Sequence, residues 1–512
     1  MKKFMPRLLC MWMLATALCF GACAKDKPSV LQSASDSAAA DAPVKIENLS
    51  VRRPNLYSVE LAWIAPGDVG DKGTAQRYDV RYNVQPIDES NWETSERADV
   101  TITPQKAGAP EVLQVNELDP GETYYFAIKT VGYNDALSHI SNVVSATTGS
   151  PGVPDSVTVN NLADLQAAID NAPESGRIIT LAKGVYHQTE RILIDHKDNI
   201  TIQGETDNPE DTVLIGLGMD DESMYMNMKV TESSYCTVKN LTLRDSYYHA
   251  IQVVFSAHYF RAENLIALDN GESGFKINGL SDYGVIEDCY IGFTANGKRS
   301  VIEGIDGIAA RGWLVKGNVI ENIIQLEENI DLREMSWYDD WIGFGIFFKA
   351  NSIDCVLEDN LLINCDVALS FGGSGSGGPI YRYNDESYET RGGVMRNNVV
   401  WGTVREAGIY VNSAKDFEIV NNTIYDDCET GSVSFYSMEK NPNLLPSEGG
   451  KIYNNILRYG VEDGNPAYVV MDTIDQQNNL VPEEDIFVDA ANGDFRLKPG
   501  VAFDGEPVGA YQ

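Results

Sequence analysis

Eight short segments of this 512-residue chain repeat one pattern. TVKNLTL (237–243), RAENLIAL (261–268), VIEDCYI (285–291), LVKGNVI (314–320), VLEDNLLI (356–363), VMRNNVV (394–400), EIVNNTI (418–424) and KIYNNIL (451–457) each set a turn residue between two apolar runs. The turn residues are Asn240, Asn264, Cys289, Asn318, Asn360, Asn398, Asn422 and Asn455, at intervals of 24, 25, 29, 42, 38, 24 and 33 residues. A period in the low twenties with longer insertions means a solenoid, and short β-branched segments make it a β solenoid. The asparagines are then structural, their amides bonded from rung to rung where the chain bends.

A second strand follows each of the first seven repeats: HAIQVV (249–254), SGFKIN (273–278), DGIAAR (306–311), FGIFFK (344–349), VALSFG (367–372), AGIYVN (407–412) and GSVSFY (431–436). Side chains alternate between core and surface. Two outward columns are therefore expected. One reads Gln252, Lys276, Ala309, Phe347, Ser370, Tyr410, Ser434, and the other Val254, Asn278, Arg311, Lys349, Gly372, Asn412, Tyr436. Rungs lie about 4.8 Å apart, so Arg311 is expected one rung below Lys349, with Lys276 two rungs nearer the N-terminus on the parallel column.

From about residue 155 to the end, the repeats and the closing DIFVDAANGDFRLKP…VGAYQ segment resemble the right-handed parallel β-helix of the pectate-lyase-like superfamily. The resemblance implies an all-β solenoid. Ahead of it, NLADLQAAIDNAPESG predicts a short amphipathic helix, N-capped by Asn161, that plugs the open end. Between Ala42 and Thr148, VELAWIAP (59–66), YDVRY (78–82) and LDPGETYYFAIKTV (118–131) alternate as half-buried antiparallel strands. Trp63 and the Leu118-x-Pro120-Gly121-x-x-Tyr124 corner resemble a fibronectin type III domain. No exposed aromatic cluster stands out there, which favours a spacer over a glycan-binding module.

The N-terminus has the layout of an export signal. Lys2, Lys3 and Arg7 precede an apolar run, Leu8 to Phe20, too short to span a membrane. Phe20-Gly21-Ala22-Cys23 resembles the lipobox of bacterial lipoproteins, which implies lipidation of Cys23 and anchoring at the outer membrane or cell surface. The Ser-, Ala- and Asp-rich stretch after it reads as a tether. The expected organisation is a signal (1–23), a tether (24–42), a fibronectin type III-like domain (43–148), a linker (149–156) and the β-helix (157–512).

With 75 acidic and 39 basic residues the net charge is −36, which disfavours nucleic acid and anionic membrane as partners. A membrane contact is expected only through the lipid, and the chain is expected to be a monomer. Cys236, Cys289, Cys355, Cys365 and Cys428 form no CxxC pair and read as small core residues.

In so acidic a chain, cations on one face draw attention. Two insertions, 323–342 and 372–393, bracket the Lys349 strand and carry Trp337, Trp341, Tyr381, Arg382 and Arg391. Long insertions in a solenoid gather on its binding face. Together with Lys276, Asn278 and Asn412 these residues are expected to bind an anionic polysaccharide. The reaction expected on it is β-elimination from a uronic acid, with Lys349 as base, Arg311 clamping the carboxylate and Tyr410 as acid.

FFKANS is similar to the Lys-Ser turn of alginate and chondroitin lyases of this fold, and the resemblance implies a lysine base and calcium. Glu327, Glu328, Asp331, Glu334, Asp339 and Asp340 supply oxygen ligands without a diagnostic spacing. Two alternatives stay open. One is glycoside hydrolysis, since GIDGIAA (304–310) is similar to the first aspartate motif of polygalacturonases, although Asp306 also reads as a turn residue. The other is a surface glycan-binding protein or adhesin without turnover.

Overall fold

The computed structural model describes residues 42–510 except 71, 99, 101, 103, 117, 133–135, 150–151, 279, 295–302, 325–342, 374–380, 383–385, 403–406, 426–430, 437–440, 463, 484–485 and 500–508. Two separate apolar cores organise it. The first lies in an antiparallel sandwich, with a three-stranded sheet facing a four-stranded one. Trp63 is buried there and meets Tyr78 edge-on with ring centroids 5.0 Å apart. The Tyr124 hydroxyl accepts a hydrogen bond from the Asp119 amide at 3.0 Å, the tyrosine corner expected of a fibronectin type III fold.

The second core fills a parallel β-helix, as the repeats predict. Twenty strands form one continuous sheet wound over two faces, and nine strands form another. A three-stranded sheet (Ser352–Ile353, Thr390–Arg391, Ala414–Lys415) lines a corner. The Leu162–Asp170 helix closes the N-terminal end, burying Leu165, Ala168 and Ile169, while the Asn161 side chain accepts from the Asp164 amide at 2.8 Å. Cys236, Cys289, Cys355 and Cys365 are buried free thiols of the core.

A buried ladder of amides runs from rung to rung through Asn318, Asn360, Asn398, Asn422, Asn455 and Asn479. In each pair the backbone N–H and the side-chain Nδ2 both donate to the next Oδ1, at 2.8–3.1 Å. Cys289 enters the ladder only through its backbone N–H, which donates to Asn318. Asn240 and Asn264 do not belong to it. Strand pairing sets Leu241 opposite Leu265, so leucines occupy the ladder position on those rungs. Both asparagines instead take the adjoining left-handed turn position, φ 58° and 49°, and bond to each other at 2.9 Å near the surface.

The nine-stranded sheet carries the outward columns. Its strands are Ile192–Asp195, Met226–Thr231, His249–Val254, Ser273–Ile277, Glu303–Ile308, Phe344–Lys349, Val367–Phe371, Ile409–Asn412 and Val433–Tyr436.

One rung departs from the expected register by three residues. Ile305, not Ile308, pairs with Phe275 and Ile346, and Ile308 pairs with Lys349. Gly307 lies opposite the core residues Ile277 and Phe348, and a Cβ on it would lie 2.1 Å from the Phe348 ring. An apolar side chain is thus replaced by a ring from the neighbouring rung, so the local pattern of apolar residues points to the wrong register.

Candidate functional site

Correcting that register changes what the surface displays. The central outward column reads Lys229, Gln252, Lys276, Asp306, Phe347, Ser370, Tyr410, Ser434. Asp306 takes the place expected for Ala309. It is a strand residue, not a turn residue, and it is fully buried between two ammonium groups. Lys349 Nζ lies 3.5 Å from Asp306 Oδ2, and Lys276 Nζ hydrogen-bonds the same oxygen.

Lys276 also reaches Glu303 at 3.4 Å and Glu272 at 3.6 Å. One ammonium therefore gathers three carboxyl groups from two neighbouring rungs. Burial opposes its charge, but Asp306, Glu303 and Glu272 hold the Lys276 ammonium protonated well above the usual lysine range. Burial would raise the Asp306 carboxyl, and Lys276 and Lys349 together hold it below its ordinary value. Glu303 behaves oppositely: burial and the neighbouring Asp306 charge push it up to about 8. Glu303 and Asp306 are buried side by side on one strand, and low polarity together with a like charge nearby favours the protonated form of Glu303. His249, one rung toward the N-terminus, is buried, its Nδ1 2.7 Å from Ser273 Oγ, and burial lowers it to about 4.

Exposure is graded across this group. The side chains of Glu272 and Lys276 remain 16% and 12% exposed, while Glu303 and Asp306 lie beneath them. Beyond Asp306 the outward column is closed, with Phe344, Phe347, Val367, Ala407 and Tyr410 forming an apolar cluster separate from the solenoid core.

Several expected roles change accordingly. Lys349 is buried rather than displayed, its Nζ 4.4 Å from the centroid of the Phe347 ring. Arg311 is not its neighbour, because the chain leaves the sheet at Ala309 (φ 52°) and Arg311 bridges to Ile353 in the corner. Tyr410 is buried and stacks on Tyr436 with centroids 5.4 Å apart.

Tyr381 and Arg382 are structural rather than displayed to a ligand. The Tyr381 hydroxyl donates to Glu389 at 2.5 Å, and the Glu389 carboxylate accepts from the Ala350 amide at 2.7 Å. Arg382 is completely buried, bonded to Asp282 and to the Ala309 carbonyl at 2.8 Å. Arg391 lies in the corner sheet, donating to Asn351 Oδ1 at 3.0 Å and covering the Tyr388 ring. Asn412 stands opposite Tyr436 in the second outward column but is buried, its Nδ2 donating to the Gly373 carbonyl at 2.7 Å, and half-buried Asn278 follows the end of its strand, its amide donating to the Val253 carbonyl at 2.9 Å. Trp337, Trp341 and Cys23 lie outside the described residues, as do all six candidate calcium ligands.

Among the described residues, Asp195, His196 and Glu232 have the spacing of metal ligands. They do not suit calcium. The set includes an imidazole where calcium takes oxygen, and the His196 ring already faces Asp195 at 2.6 Å and Glu232 at 2.9 Å.

The residues that sequence reasoning passed over are Glu272, Glu303 and His249. Glu303 opens its strand and Glu272 precedes one; Glu272 lies four residues before Lys276 on the same rung, and the corrected pairing brings Glu303 there as well. The available signal was the EGID spacing of Glu303 and Asp306, read with Gly307 as an inward residue.

No protein-family model matches the chain. A curated protein, the mouse calcium-activated chloride channel regulator 1, is 29% identical over 107 residues, and this chain spans 12% of its length. Among solved structures, an alginate lyase from a Paenibacillus strain is 16% identical with a TM-score of 0.41, covering 64% of this chain and 99% of its own. Pectate lyase Pel9A is 14% identical with a TM-score of 0.43, covering 68% of this chain and 90% of its own. Likeness at this level says nothing about which residues act.

Proposed function

We propose that this protein hydrolyses a polysaccharide, with Glu303 as general acid and Glu272 as general base. The observation that carries this reading is the gathering of Glu272, Glu303 and Asp306 on Lys276, with Glu272 the most exposed of the three and Glu303 beneath it beside Asp306. Two carboxyl groups in unlike surroundings are suited to opposite roles in one reaction. Glu303, protonated up to about pH 8, donates its proton to the glycosidic oxygen as the bond to the anomeric carbon breaks. Glu272, the more exposed carboxylate, takes a proton from the attacking water. Asp306 touches no substrate in this scheme; it is a positioning residue that holds the two lysines and keeps negative charge beside Glu303.

Elimination from a uronic acid remains the second reading, favoured by the arrival of Lys349 at the same group. It demands a cation to neutralise the substrate carboxylate, and both lysines already face carboxyl groups of the protein, Lys276 those of Asp306, Glu303 and Glu272 and Lys349 that of Asp306. That engagement favours a polymer without a carboxylate at the cleaved residue. Export, lipidation at Cys23, surface anchoring and a monomeric state belong to the proposal as its setting.

The test is incubation of residues 24–512 with neutral and uronic-acid polysaccharides, following reducing ends and ultraviolet absorbance together. New reducing ends without absorbance support hydrolysis, and absorbance from a new C4=C5 double bond supports elimination. Neither signal, with retained binding, supports the adhesin.

A further inference from the structure

Three tyrosines stand in line with Glu272 on the N-terminal side of the candidate site. Tyr225 is 48% exposed, and its ring lies 5.8 Å from Tyr247 and 5.3 Å from Tyr248. Tyr247 and Tyr248 meet at 4.4 Å, and Tyr248 lies 5.7 Å from the His249 ring. Their backbones belong to the rung ladder of the site itself. The Tyr248 amide donates to the Tyr225 carbonyl at 2.8 Å, and the Glu272 amide donates to the Tyr248 carbonyl at 2.8 Å. With rungs about 4.8 Å apart, Tyr248 and Tyr225 stand roughly 5 and 10 Å from Glu272 along the axis.

The outward face on this side carries Lys229, Gln252 and Lys276, all half-buried. On the other side it is closed by the Phe344, Phe347 and Tyr410 cluster. Among the described residues, the open side of Glu272 is therefore the one that carries the tyrosines. Aromatic faces with hydroxyl rims suit the mixed apolar and polar faces of a sugar ring.

We propose that Tyr225, Tyr247 and Tyr248 form a stacking subsite for a glycosyl residue of the chain whose bond is cleaved at Glu272 and Glu303. This rests on the polysaccharide reading above and adds the direction in which substrate lies.

Titration calorimetry with hexasaccharides of galacturonic acid, mannuronic acid and β-1,4-linked xylose tests it in the parent, Tyr225→Ala and Tyr225→Phe. For whichever hexamer binds, Tyr225→Ala should weaken affinity about tenfold and Tyr225→Phe by no more than about twofold. The urea midpoint should not change. Equal affinity in the parent and Tyr225→Ala would overturn the subsite, as would a parent that binds no hexamer. Binding that depends on Tyr225 in a protein without turnover would retain the subsite and remove the hydrolase reading instead.

Discussion

Asp306 and Lys349 meet across one rung step, Oδ2 to Nζ at 3.5 Å, although one is the central outward residue of its strand and the other ends the next strand. Asp306 also holds Lys276, so a single buried carboxylate compensates two ammoniums. Asp306→Ala is expected to lower stability by about 3–5 kcal/mol, because it leaves two buried charges short of a partner. Adding Lys349→Met should recover part of that loss. Urea unfolding of the single and double variants measures the coupling, and strictly additive effects would contradict the contact.

Arg311 gives the opposite expectation. It lies in the corner bridge to Ile353 rather than beside Lys349. Arg311→Ala should leave turnover within about threefold of the parent and cost no more than about 1 kcal/mol, as expected of a partly exposed charge. Loss of activity comparable to that of Glu303→Gln would show that the corner contributes to the site.

The proton on Glu303 makes both rate and stability depend on pH. Its folded value of about 8 lies above its ordinary 4.5, so the folded chain binds the extra proton between those limits. The associated stability is complete at low pH and is lost as pH rises through about 8. His249 acts in the other direction below its ordinary 6.5, where protonation favours the unfolded chain. Above about 6.5 the fall in stability comes from raised carboxyl groups, Glu303 together with buried Glu389 and Asp198, which add the same sign. Denaturation midpoints across that window should fall less steeply for Glu303→Gln. The rate should also drop above pH about 8 as the acid is lost.

The asparagine ladder separates two groups that look alike in sequence. Asn398→Ala removes a buried amide and strips the partners of Asn360, at an expected cost of about 2–4 kcal/mol. Asn240→Gly, at a left-handed surface turn, should cost less than about 1 kcal/mol. Similar losses in thermal unfolding would contradict the assignment of Asn240 to the turn position.

That contrast also marks how far the sequence could be read. The repeat, the Asn161 cap and the tyrosine corner are local patterns, and all three appear in the fold. Asn240 and Asn264 were misplaced because a left-handed turn and a buried ladder position are adjacent, and asparagine suits both. The Glu303–Ile308 register failed for a different reason: Phe348, from another rung, fills the space above Gly307. Arg382 looked like a surface cation, yet Asp282, one hundred residues away in sequence, pairs with it in the interior. Charge pairing between rungs leaves no periodic trace, which is why only strand pairing places Glu303 and Asp306 beside Lys276.

The most direct test of the account compares the parent and Glu303→Gln on the polysaccharide panel, scoring reducing ends and ultraviolet absorbance in the same samples. Reducing ends without absorbance are expected from the parent. For Glu303→Gln a loss of about a hundredfold or more is expected, with folding retained. Unsaturated products from the parent, or full activity in Glu303→Gln, would contradict it.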